Sequence, residues 1–107
     1  MTTLGQLGEY KIIKRMVKRL QTNSTTICGP GDDSAVVRIT KNGTWDLVLT
    51  SDAIIEGRHF SNRDHPQAIG KKALGRVLSD LAAMGSTPKW ALIDMVAPPT
   101  LEASYTD

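Results

Sequence analysis

Apolar and polar positions alternate along this chain with two different periods, and the switches between them mark its elements. Residues 8–20 (GEYKIIKRMVKRL) place Ile12, Ile13, Met16, Val17 and Leu20 on one helical face and Lys11, Lys14, Arg15, Lys18 and Arg19 on the other. The pattern predicts a helix with a solvated basic face lying over a core, although a helix on a membrane surface would show the same spacing. Residues 34–40 (SAVVRIT) and 45–53 (WDLVLTSDA) read as strands, and Asn42-Gly43 between them is a strong hairpin signal. Residues 66–85 (PQAIGKKALGRVLSDLAAMG) predict a helix opened near Pro66 and stopped by Gly85. Residues 89–98 (KWALIDMVAP) predict a third strand ended by prolines. Two helices against a small sheet make a two-layer α+β domain the expected architecture.

Beyond Pro98-Pro99, residues 100–104 (TLEAS) predict the start of a further helix with Thr100 as its cap. That helix is not completed, so residues 1–107 are expected to form the N-terminal domain of a longer protein.

Composition narrows the function classes. With 107 residues, 40% hydrophobic and 22% charged, the chain reads as one soluble globular domain. No apolar stretch approaches the roughly 20 residues that span a bilayer, and no signal-peptide core opens the chain, so no membrane partner is expected. The single Cys28 excludes an intrachain disulfide and reads as a small packing residue, which fits a cytoplasmic location. A net charge of +2 and scattered aromatics (Tyr10, Trp45, Phe60, Trp90, Tyr105) argue against nucleic acid.

The candidate chemistry lies in the carboxylates. Residues 29–37 (GPGDDSAVV) set Asp32 and Asp33 between two glycines and an apolar run. If Asn42-Gly43 is a two-residue type I′ turn, Lys41 faces Thr44, Val37 faces Val48, Ala35 faces Thr50, Ser34 faces Ser51 and Asp33 faces Asp52. Two carboxylates ~5 Å apart repel by about 3 kcal/mol at an effective dielectric of ~20, so a divalent cation is the expected compensation. On the later helix, Ile69, Ala73, Val77, Leu81 and Met84 form the apolar stripe, and Asp80 falls within roughly 20° of Ile69. An Asp on a core-facing side is paired or metal-bound. Arg76, one turn earlier, is the pairing alternative. Lys71, Lys72 and Ser79 fall on the solvated side.

Asp32, Asp33, Asp52 and Asp80 are therefore candidates for one acidic cluster, joined by the hydroxyls of Thr50 and Ser51. Hard oxygen donors without a Cys or His set point to Mg²⁺ or Mn²⁺ rather than zinc, and no DxDxDG loop favours Ca²⁺. Mg²⁺ is commonly shared with substrate phosphates, which directs attention to phosphoryl transfer. The usual phosphate loops are absent: GPGDDS lacks the third Gly of a dinucleotide fingerprint and precedes a strand, and no GxxxxGK[ST] occurs.

GDDSAVV, LVLTSDAIIEGRHF and LSDLAAMGSTPKWAL, in this order and spacing, together with the opening LGEYKIIKRM, resemble the N-terminal domain of the thiamine-monophosphate kinase family. Its wider superfamily includes aminoimidazole-ribonucleotide synthetase, selenophosphate synthetase and a hydrogenase-maturation protein. The resemblance implies ATP-dependent phosphorylation of thiamine monophosphate to thiamine diphosphate by direct in-line transfer, with several Mg²⁺ ions and no protein nucleophile. By motif it implies Asp33, Thr50, Ser51, Asp52 and Asp80 as metal ligands and His59 as a contact to the thiamine phosphate. On the sequence alone, His59 is a histidine at a strand end. Ser51 stands where that family often has Thr, which keeps the hydroxyl. The family's later GGD-type motif and second domain have no counterpart in these residues. The resemblance further implies a homodimer joined through the sheet and an isolated domain without activity. Two other readings remain: another ATP-dependent synthetase or maturation enzyme of that superfamily, or a non-catalytic dimerisation module.

Overall fold

The computed structural model describes residues 3–39 and 42–106, which form two compact units, one running through Thr50 and the other from Ser51 onward. The first unit opens with α1 (Leu4–Leu7), held by reciprocal capping. Thr3 Oγ1 accepts from the Gln6 N–H at 3.3 Å, and Gln6 Oε1 accepts from the Thr3 N–H at 2.9 Å. Gly8, at φ +75°, turns the chain into α2 (Glu9–Val17), the helix predicted by the first amphipathic run. Glu9 sits in its first turn and Lys14 and Arg15 in its last, each complementing the helix dipole. Ile12 and Val17 are half-buried, whereas Ile13, Met16 and Leu20 remain exposed.

A three-stranded antiparallel sheet follows, in the order β1 (Thr26–Cys28), β2 (Ala35–Arg38), β3 (Asp46–Leu49). Strands with helices make the architecture α+β, as the sequence predicts. The hairpin register differs from the expected one. Ala35 pairs with Leu49, Val36 with Val48, Val37 with Leu47 and Arg38 with Asp46, a shift of one residue. The connection between Arg38 and Asp46 is longer than two residues. The predicted Lys41–Thr44 pairing lies outside the described residues. A bidentate ion pair fixes the observed register: Arg38 Nε and Nη2 donate to Asp46 Oδ1 and Oδ2 at 3.0 and 3.1 Å.

The second unit contains a closed turn at residues 55–60, then α3 (Pro66–Ala83) and a 3₁₀ helix (Ala103–Thr106). Pro66 takes the first turn of α3, where its missing N–H costs nothing. Gly85 at φ +63° ends the helix: Ser86 N–H reaches Leu81 O at 3.0 Å and Gly85 N–H reaches Ala82 O at 3.0 Å. The half-buried positions of α3 include Ile69, Ala73, Val77, Asp80 and Leu81, and Met84 at its C-cap continues that stripe, as the periodicity predicts.

Two expectations for the second unit fail. Residues 89–98 form no strand and join no ladder among the described residues, because no described strand of this unit lies alongside to take their backbone hydrogen bonds. Trp90, Leu92 and Ile93 are accordingly 84%, 96% and 87% exposed. Residues 100–104 do not begin an α-helix either. After Pro98 the chain turns through a Leu101 N–H to Pro98 O bond of 3.0 Å and tightens into the 3₁₀ helix. No described apolar side chain is fully buried in either unit.

Candidate metal and phosphate site

In the first unit, the GDD loop organises itself around Asp32. Gly31, at φ +124°, reverses the backbone, a conformation that side chains disfavour. Asp32 Oδ1 accepts the Asp33 N–H at 2.9 Å, and its Oδ2 accepts the Cys28 thiol at 3.4 Å. Asp32 thus braces its own loop. Burial, with the hydrogen bond and charge of Asp32, pushes the Cys28 thiol up, so Cys28 is an inert donor rather than a nucleophile. Asp33 is exposed, and its backbone carbonyl accepts from Thr50 Oγ1 at 3.4 Å, which ties the GDD loop to Thr50 at the end of the first unit. Beside Asp33, Ser34 is only 5% exposed, and its hydroxyl has no partner among the described residues. A buried hydroxyl without a partner costs about 1–3 kcal/mol.

In the second unit, Asp52 and Arg76 form the central ion pair. Arg76 Nε donates to Asp52 Oδ2 at 2.6 Å. That bond holds the Asp52 carboxyl below its ordinary range; partial burial opposes it, and the Arg76 charge, the Ala53 N–H and His59 assist. Asp80, half-buried on α3, adds its own field to the guanidinium, which is held above its usual value chiefly by Asp52. Arg76 makes its hydrogen bond to Asp52, 24 residues earlier in sequence, and feels Asp80 through charge.

His59 lies on the turn between Ile55 and Phe60 and is half-buried. Its Nδ1 accepts the Ile55 N–H at 2.9 Å. Its carbonyl accepts from Lys72 Nζ on α3. Lys72, placed on the solvated side by periodicity, is thus a tether between helix and turn. A turn closed by Gly57 within reach of the first helical turns was the available signal.

Asp33 and Thr50 meet within the first unit, and Asp52 and Asp80 share Arg76 within the second, where Ser51 also lies. Among the described residues, no three His, Cys, Asp or Glu side chains form a group that could hold a metal ion. The opposition of Asp33 to Asp52, expected from a two-residue turn, is not part of the ladder, which ends at Ala35–Leu49. No helix among the described residues is long and apolar enough to cross a membrane.

Comparison with known proteins sharpens the picture. Residues 31–106 match the family of AIR synthase related proteins, N-terminal domain. The thiamine-monophosphate kinase of Buchnera aphidicola subsp. Acyrthosiphon pisum (strain APS) is 41% identical over 91 residues, covering 84% of this chain and 28% of the relative. That of Aquifex aeolicus (strain VF5) is 38% identical over 104 residues, covering 97% of this chain and 31% of the relative. That of Escherichia coli (strain K12) is 35% identical over 104 residues, covering 94% and 31%. The chain thus spans about three tenths of the length of the curated relatives it matches. No solved structure gives a significant match. With the family match spanning the GDD, TSD and LSD motifs, the chain belongs to the AIR synthase related protein family and represents its N-terminal domain.

Proposed function

We propose that this chain is the N-terminal domain of a longer cytoplasmic enzyme that transfers a phosphoryl group from ATP to thiamine monophosphate, giving thiamine diphosphate. One observation carries the reading: the GDDSAVV, LVLTSDAIIEGRHF and LSDLAAMG motifs occur in order in a chain whose relatives are named thiamine-monophosphate kinase. Direct in-line transfer needs two phosphates positioned and their charge neutralised, and it needs no protein nucleophile.

Bound Mg²⁺ ions would neutralise charge on the phosphoryl oxygens, with Asp33, Thr50, Ser51, Asp52 and Asp80 holding them. The chemistry of the donors suits that metal. Every donor is a hard oxygen, and the buried Ser34 hydroxyl beside Asp33 leaves hydrogen-bonding capacity unused among the described residues. Arg76 orders the Asp52 carboxylate and keeps it ionised, the state a metal ligand requires. His59 meets the phosphate of thiamine monophosphate. The active protein is a homodimer joined through the sheet, supported by β1 and β3, which are edge strands among the described residues.

Asparagine at Asp33, Asp52 or Asp80 in the full-length protein should lower thiamine diphosphate formation by about 100-fold or more, the usual effect of losing one transition-state contact. Activity within about twofold of wild type would remove that residue from the ligand set. The family takes its name from a synthase, which keeps a second ATP-dependent activity in view. Turnover of a synthetase substrate but not of thiamine monophosphate would favour it.

A further inference from the structure

The turn that carries His59 is closed by its own backbone. Gly57, at φ +77°, lets the chain reverse, and its N–H donates to Phe60 O at 2.7 Å. The Arg58 and His59 N–H groups donate to Ile55 O at 3.2 and 2.8 Å. Ile55 then closes the ring from the other side, donating its N–H to His59 Nδ1 at 2.9 Å. A backbone N–H cannot accept, so Nδ1 must present its lone pair there. The single proton of the neutral imidazole then sits on Nε2. At the other end of the residue, the His59 carbonyl accepts from Lys72 Nζ on the second turn of α3.

We infer that His59 acts as a fixed Nε2–H donor to a phosphoryl oxygen, and that Lys72 is the positioning residue that holds the turn for it. The inference rests on the reading of His59 as the phosphate contact. With Nδ1 engaged and Nε2 protonated, neither ring nitrogen offers a lone pair to a metal ion. His59 therefore serves the anion, and the carboxylates serve the cations. The ring is half-buried and held through both its side chain and its backbone, so little rotamer freedom remains to be lost when the anion arrives. Lys72 acts through that geometry, by tying the turn to a helix.

The test uses the full-length protein with histidine labelled at its ring nitrogens. Long-range proton–nitrogen spectra at about pH 8 should show a proton on Nε2 and a bare Nδ1 for the resonance that His59→Ala removes. Lys72→Ala should raise KM for thiamine monophosphate about tenfold, equivalent to one hydrogen bond, with kcat within about twofold. Lys72→Arg, which keeps a donor on a long stem, should recover most of that loss. A proton on Nδ1, a joint change in kcat and KM, or no change in either overturns the inference while leaving the kinase reading intact. An unchanged KM in His59→Ala overturns both the inference and the phosphate role of His59. A wild-type protein that forms no thiamine diphosphate removes the inference together with the reading beneath it.

Discussion

Arg76 Nε lies 2.6 Å from Asp52 Oδ2, so the carboxylate of the TSD motif is met by a cation from the helix that carries the LSD motif. A register with a two-residue turn would have set Asp52 against another carboxylate. The observed pair changes the sign of the argument. Asp52→Asn no longer relieves a repulsion in the metal-free protein but removes half of an ion pair, and it should lower the melting temperature. A rise in melting temperature would show that repulsion from another carboxylate dominates at Asp52 after all.

The same pair predicts an acid response. Asp52 has its folded-state pKa held below the ordinary carboxylate value of 3.8, chiefly by the Arg76 hydrogen bond. Its contribution to stability is therefore fully present above that ordinary value and is lost as pH falls through the lower folded-state value. Melting temperatures of wild type and Asp52→Asn should converge over that acid range. Parallel curves throughout would mean that ionisation of the Asp52 carboxylate contributes nothing to stability.

Arg76→Ala tests whether the guanidinium shares its carboxylates with a metal ion. Without it, Asp52 loses its partner and Asp80 loses a nearby positive charge. The variant should melt lower in the absence of divalent cations and gain more from Mg²⁺ than wild type does. Equal Mg²⁺ responses in the two proteins would separate Arg76 from the cation-binding carboxylates.

Ser34 carries a prediction of the opposite sign. Its buried hydroxyl has no partner among the described residues, so Ser34→Ala removes a polar group without breaking a bond. Denaturant unfolding should show the metal-free variant as stable as wild type or more so, by up to about 1–3 kcal/mol. A loss of more than about 1 kcal/mol would show that the hydroxyl holds a partner that matters.

Much of α3 was legible in the sequence. Pro66 and Gly85 punctuate it, and its 3.6-residue period placed Asp80 on the half-buried stripe with Ile69, Ala73 and Val77. Local signals sufficed because a helix satisfies its own backbone. Strands do not. Thr26–Cys28 is too short to show an alternation, and the hairpin register depended on a connection whose length Asn42-Gly43 did not fix. Residues 89–98 have strand composition, but composition cannot supply a neighbour. At the candidate site, the residue types were readable from Asp33, Asp52 and Asp80. The partners were not, because Arg76 reaches a residue 24 positions away and Lys72 one 13 positions away.

Thiamine diphosphate formation by the full-length protein tests the central claim most directly. Supplied with Mg²⁺, ATP and thiamine monophosphate, the protein should form thiamine diphosphate and ADP in equal amounts, with no phosphorylated protein accumulating, as direct in-line transfer requires. Absence of thiamine diphosphate, together with turnover of a synthetase substrate under the same conditions, would contradict the account.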